Sequence, residues 1–306
     1  MGLLTLLELL PLCSAFKLRV AAGSCPAPCP EWAQDADDAE GFQQYAAASR
    51  APLGLAPQGR KPAMWVHIHK AAGTTMCKMA REMAESVAFP VKNCNYLGVW
   101  FDGYKALATG TMGKSTWTTC SQRRKLFKEN NFTWAAIERE VGEGDLCFND
   151  FVYGTVVRQP IDRMESSVNF EEFWYYGEQI ACIKRGQCKD QGKFTMFDNY
   201  MVRSLLGYDG MWLPPGGVTK SHLQKAVRLL ERFDLVLPLE FLDCPQVVAK
   251  MDRVLGWHVA TMGRRNDHFH AIPFSEGERN DIREINRYDR ALYEHFAAKF
   301  SSCANK

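Results

Sequence analysis

The sequence predicts an α/β fold, a parallel sheet flanked by helices on both faces. Two observations predict it. Short runs rich in β-branched and aromatic residues alternate with segments whose apolar residues recur at helical spacing. One run, "FVYGTVV", is apolar almost throughout, as a strand buried on both faces must be. Alternation of this kind joins parallel strands by helical crossovers. A chain of 306 residues suffices for one large α/β domain with a full core, or for two small ones.

The elements follow in order. The start, "MGLLTLLELLPLCSAFK", is apolar from Leu3 to Leu12 except at Thr5 and Glu8, and small residues follow at Cys13-Ser14-Ala15. That pattern predicts a signal peptide or short anchor over 1–15, although no Lys or Arg precedes it. A frayed helix is the alternative. Residues 16–60, rich in Ala, Pro, Gly and Asp, read as an irregular stalk, and the folded domain spans 61–301. Met64–His69 is the first strand. Thr74–Val87 follows as a helix with Met76, Met79, Ala80, Met83 and Val87 on one face. Trp134–Ile137 and Phe151–Val157 are further strands. Helices are predicted over Ile161–Tyr176 and Phe194–Leu206, the second ended by Gly207. Lys220–Phe233 is a helix leading into the strand within "DLVLPLEF". The tail, Ser275–Phe300, carries Ile282, Ile285, Tyr288, Leu292 and Phe296 on one stripe, and Ser275 with Glu278 forms a capping box.

The formal net charge of +2 gives no argument for nucleic acid, and the short basic clusters (Arg123-Arg124-Lys125, Lys184-Arg185, Arg264-Arg265) read as solvated faces. Eleven cysteines are many for a cytosolic enzyme of this size. Cys182 with Cys188, and Cys25 with Cys29, are plausible disulfides, and no cysteine set has zinc spacing. Asn131-Phe132-Thr133 is a sequon. Leader, cysteines and sequon together point to the secretory pathway, either the Golgi lumen or secretion. Membrane contact is then expected only through the N-terminal segment.

Two strand ends carry the candidate chemistry. In "WVHIHKAAGTTM", Lys70, Ala71, Ala72, Gly73, Thr74 and Thr75 form a tight turn from strand to helix. Small residues let the backbone approach an anion, the helix start offers free N–H groups, Lys70 adds charge and the threonines add hydroxyls. The spacing is not that of a Walker A loop, where the lysine follows the glycines. In "TVVRQPIDRMESSV", Arg158 stands at a strand end, Pro160 suits the first helical turn, and Arg163 and Ser166 follow. An arginine and a serine so placed can clasp a second phosphate. Each segment taken alone also fits a plain strand–helix turn, with a surface lysine in one and an Asp162–Arg163 surface pair in the other.

Together, in this order, the segments resemble the two cofactor loops of sulfotransferases that use 3′-phosphoadenosine 5′-phosphosulfate (PAPS). "HIHKAAGTT" looks like the family's 5′-phosphosulfate loop, and "VVRQPIDRMESSV" like its 3′-phosphate motif. The likeness is greatest to the Golgi glycan branch, with heparan sulfate 2-O- and chondroitin-type enzymes. "FDNYMVRSLLG", "LERFDLVLPLEFL" and "INRYDRALYEHF" extend it, so that it covers about residues 61 to 300. His69 stands where Pro is common, Ala71-Ala72 where Thr-Gly or Gly-Gly is, Gln159 where Asp is, and Val168 where an aromatic is.

The resemblance implies a P-loop-NTPase-like sheet and in-line sulfuryl transfer to a hydroxyl of a carbohydrate or other acceptor. Lys70 would stabilise the leaving oxygen, and Ala71 to Thr75 would hold the 5′-phosphate. Arg158 and Ser166 would hold the 3′-phosphate, and Arg265, with Asn266, would belong to a late closing loop. The base would be Glu138, with Glu140 second, unless a histidine such as His67 or His222 serves. His67 and His69 share a strand face, but no third metal ligand is evident and the family needs no metal. The aromatic stretch Phe170 to Gly177 would line a sugar groove or pack in the core. Two other functions compete: a P-loop-type nucleotide-dependent kinase, and a non-catalytic glycan- or sulfate-binding module.

Overall fold

The computed structural model describes residues 60–88, 93–95, 119–142, 145–171, 175–189, 191–259 and 274–303. Four strands form one parallel sheet: β1 (Ala63–Val66), β2 (Trp134–Ile137), β3 (Val152–Val157) and β4 (Leu235–Pro238), in the order β2-β1-β3-β4. The helices are α1 (Gly73–Glu82), α2 (Cys120–Asn130), α3 (Pro160–Phe170), α4 (Tyr176–Arg185), the single turn α5 (Gln191–Phe194), α6 (Tyr200–Leu205), α7 (Gly207–Met211), α8 (Lys220–Leu230), α9 (Pro245–Leu255), α10 (Glu276–Ile285) and α11 (Arg287–Ala297). The α/β class and the parallel sheet agree with the sequence.

The strand order matters for function. From β1 the chain moves to one side to form β2, then returns to the other side of β1 to form β3. The connections after β1 and β3 therefore leave in opposite directions and open a crevice at the carboxyl ends of two neighbouring strands. The register is set by packing. Trp65 pairs with Gly154, and a Cβ on Gly154 would stand 2.0 Å from the Trp65 ring. Trp65 stacks on Trp134 at 5.0 Å between centroids, and Trp134 meets Trp257 at 4.9 Å. Every residue of β1, β2 and β4 is buried.

Several boundaries differ from expectation. β1 ends at Val66, although His67 still donates its N–H to Ile137 O at 2.9 Å. The first helix stops at Glu82 because Ala84 adopts φ +60, and Val87, expected on the helical face, bridges to Trp134 in extended form. The segment 161–176 is divided: α3 ends at Phe170 and α4 begins at Tyr176. The segment 194–206 is broken by Asn199 at φ 47. The tail is two helices parted at Asn286, which caps one and starts the other. These two asparagines hold each other. Asn199 N–H donates to Asn286 Oδ1 at 2.9 Å, and Asn286 Nδ2 donates to Phe197 O at 2.9 Å. Short polar side chains that satisfy nearby backbone compete with a continuous helix.

The cluster at 123–125 is not all a solvated face. Arg123 is buried and pairs with Asp145, which also binds Arg139. Burial disfavours the Asp145 anion, but Arg139 and Arg123 outweigh it and hold its pKa below the usual value. Every cysteine among the described residues is paired: Cys77–Cys94, Cys120–Cys147, Cys182–Cys188 and Cys244–Cys303. The expected Cys182–Cys188 bridge is among them. The expected leader, the stalk through residue 59, and the Cys25–Cys29 pair lie outside the described residues.

Candidate functional site

The site begins where β1 ends. Ala71 N–H donates to Ile68 O at 2.9 Å, closing a turn in which Lys70 (φ 63) and Ala72 (φ 60) are both left-handed. Two non-glycine residues in that region each cost about 1 kcal/mol or more, so the surrounding packing must hold them there. Gly73 opens α1 because nothing larger fits: a Cβ there would stand 1.8 Å from the His67 ring. The first-turn N–H groups of a helix have no intrahelical partner, and those of α1 begin at the crevice. Ala71 and Gly73 are buried, Ala72 and Thr75 half-buried, and Thr74 is exposed. The Thr74 hydroxyl donates to Asn93 Oδ1 at 3.1 Å.

The end of β3 meets this turn directly. Arg158 Nη1 donates to the Lys70 carbonyl at 2.9 Å. The Lys70 ammonium lies 3.5 Å over the ring of Phe170, an exposed side chain at the end of α3. Burial, with Arg158 nearby, pushes the Lys70 pKa down to about 8 against the opposing charges of Glu171 and Glu138. Pro160 occupies the first turn of α3, and Ser166 is half-buried on its second turn. Arg163 is buried, with Nη2 on Met196 O, so it is no partner in an Asp162 surface pair.

Glu138 follows β2. Its Oε1 lies 2.9 Å from His69 Nδ1, and its Oε2 accepts from Asn95 Nδ2 at 2.7 Å. His67 Nδ1 is 3.2 Å from Oε2, close enough for charge attraction but not aligned as a hydrogen bond. Burial would raise the Glu138 pKa. The His67 charge and the contacts with His67 and His69 more than reverse that and hold it well below the usual carboxylate range. His69 turns its other nitrogen, Nε2, to Glu171 Oε1 at 3.0 Å.

The remaining candidates stand apart. Glu140 is buried, its carboxyl oxygens have no hydrogen-bond partner among the described residues, and burial pushes its pKa up to about 7. His222 is taken up in the capping box of α8, where its Nδ1 accepts from Thr219 N at 3.1 Å. Arg265 and Asn266 lie outside the described residues. The structure thus brings together the lysine turn, Arg158 and Glu138, and adds Glu171 and Asn95, which the sequence did not single out; Phe170, expected in a sugar groove or in the core, is exposed and lies under the Lys70 ammonium. Glu171 could have been noticed as a carboxylate inside the aromatic stretch after α3. Asn95 carries no local signal, because it reaches Glu138 only through the fold. Comparison of this chain with family models, with curated proteins and with solved structures finds no match.

Proposed function

We propose that this protein transfers the sulfuryl group of PAPS to a hydroxyl, with a carbohydrate as the first acceptor class to test. One observation carries the reading: the turns after two neighbouring parallel strands touch through Arg158 and the Lys70 carbonyl, at a point of strand-order reversal. Two cations there can face the two phosphate ends of one nucleotide. Backbone N–H groups from Ala72 to Thr75 take the 5′-phosphate, with Ala71 shaping the turn, and Arg158 and Ser166 take the 3′-phosphate. PAPS, as the co-substrate, supplies the sulfuryl group.

In the transfer, the acceptor oxygen forms a bond to sulfur as the bond from sulfur to the bridging phosphate oxygen breaks. Lys70 sits at the turn where that oxygen's growing charge would be met, an interaction strongest in the transition state. Glu138 takes the hydroxyl proton. A carboxylate of depressed pKa is a weak base, but an alcohol becomes strongly acidic once its oxygen bonds to sulfur, so a late transfer to an ionised, fixed carboxylate suffices. The four disulfides favour an oxidising compartment, which fits a Golgi or secreted enzyme.

The test has two parts. The product nucleotide, 3′-phosphoadenosine 5′-phosphate (PAP), should raise the melting temperature, and ATP with Mg²⁺ should do so far less. Labelled sulfate should then pass from PAPS to members of a polysaccharide panel. A larger effect of ATP would favour the kinase, and PAP binding without transfer to any acceptor would favour a binding module.

A further inference from the structure

We propose that His69 is a positioning residue of this site: its imidazolium bridges Glu138 beyond β2 to Glu171 at the end of α3 and holds both carboxylates against the Lys70 turn. The idea rests on the sulfotransferase reading for its consequence in turnover, but not for its geometry.

Both ring nitrogens of His69 face carboxylates, Nδ1 at 2.9 Å from Glu138 and Nε2 at 3.0 Å from Glu171. Only the doubly protonated ring can donate to both. All three side chains are partly open to solvent, 19% for His69, 20% for Glu138 and 24% for Glu171, so the bridge is not sealed in the core. Each end of the bridge belongs to a different element, and His69 immediately precedes Lys70. Glu138 is also fixed by Asn95, which leaves His69 as the group that orients its Oε1. Glu171 has no such second anchor among the described residues. A neutral side chain at 69 would remove the one group bonded to both carboxylates and leave only the Lys70 charge to offset their repulsion, so they would separate.

The titratable and charged groups around the ring are Glu138 and Glu171, His67 on the far oxygen of Glu138, and Lys70, whose charge is coupled to Arg158, Glu138 and Glu171. Tyr200 on α6 is buried within electrostatic reach of Glu138, Glu140 and Glu171. Burial opposes the imidazolium, but the bonds to Glu138 and Glu171 and their charges prevail and raise its pKa above the ordinary 6.5. The bridge is therefore complete below 6.5 and is lost as pH rises through the raised value.

Two measurements on the full chain test this. Imidazole NMR titration, with His69 assigned by its loss in His69→Gln, should find His69 titrating above 6.5. Glu171→Gln should lower that value, and the exposed Glu294→Gln should leave it unchanged. In kinetics, His69→Gln should lower kcat about tenfold while PAP affinity stays within about threefold. The wild-type rate should fall as pH rises through the His69 midpoint, and the variant should lack that step. If the substituted protein does not fold, His69 is assigned by triple-resonance experiments on the isotope-labelled wild type instead, and the Glu171→Gln titration still decides. A His69 pKa at or below 6.5, or one insensitive to Glu171→Gln, overturns the bridge. An unchanged kcat and pH profile in folded His69→Gln overturns its role. Failure of the wild type to transfer sulfate to any acceptor refutes the sulfotransferase reading alone, and the titration then still decides the bridge.

Discussion

At the scale of single residues, Lys70 makes the sharpest prediction. Under the proposed function its ammonium meets an anionic cofactor; its pKa is depressed to about 8, so the free protein loses that charge as pH rises through about 8. PAP affinity measured by calorimetry should fall above that pH, and Lys70→Arg should move the fall to higher pH because a guanidinium stays protonated. Lys70→Ala should cut turnover by about a hundredfold or more in the labelled-sulfate assay. Gly154 makes a prediction for stability. A methyl at that position has no space beside Trp65, so Gly154→Ala should cost about 1–3 kcal/mol or more, read as a lower midpoint in urea. Lys70, Gly73 and Arg158 were legible in the sequence because strand-end turns carry local signatures. Glu171 and Asn95 were not, because nothing near them in the chain says that they converge on one histidine and one carboxylate.

Among the elements, the strands and the long amphipathic helices were legible, because burial imposes a period on their residues. Their ends were not. Asn199 and Asn286 break what periodicity alone makes continuous, and their bonds to each other across distant segments leave no trace in either stretch. Asn286→Ala should therefore destabilise the protein by about 3 kcal/mol, since buried backbone groups at Asn199 and Phe197 lose their partners. A denaturation midpoint measures it. Cys77–Cys94 ties α1 to the short segment that supplies Asn93 to Thr74 and Asn95 to Glu138. Replacing both cysteines by serine should cost about 3 kcal/mol and lower turnover more than PAP affinity, because the carboxylate loses a fixed partner before the helix start loses its N–H groups.

The molecule as a whole places its candidate chemistry where the strand order reverses, and this could be expected once the strands were recognised as parallel. What the sequence could not supply was which strands are neighbours, since long connections pair β1 with β2 on one side and β3 on the other. Global stability should also carry a signature of acid. Asp145, buried between Arg123 and Arg139 with its pKa depressed, contributes stability that is present above the ordinary value of 3.8 and lost as pH falls through the folded one. Melting temperature should drop on acidification below that value, and Asp145→Asn should destabilise the protein at neutral pH by about 3–5 kcal/mol by stranding two buried guanidinium groups. Cys244 and Cys303 are joined across 59 positions of chain. A protease that nicks the polypeptide once anywhere inside that span will not release a fragment: the two pieces stay tethered and run as one band on a gel until a reductant is added.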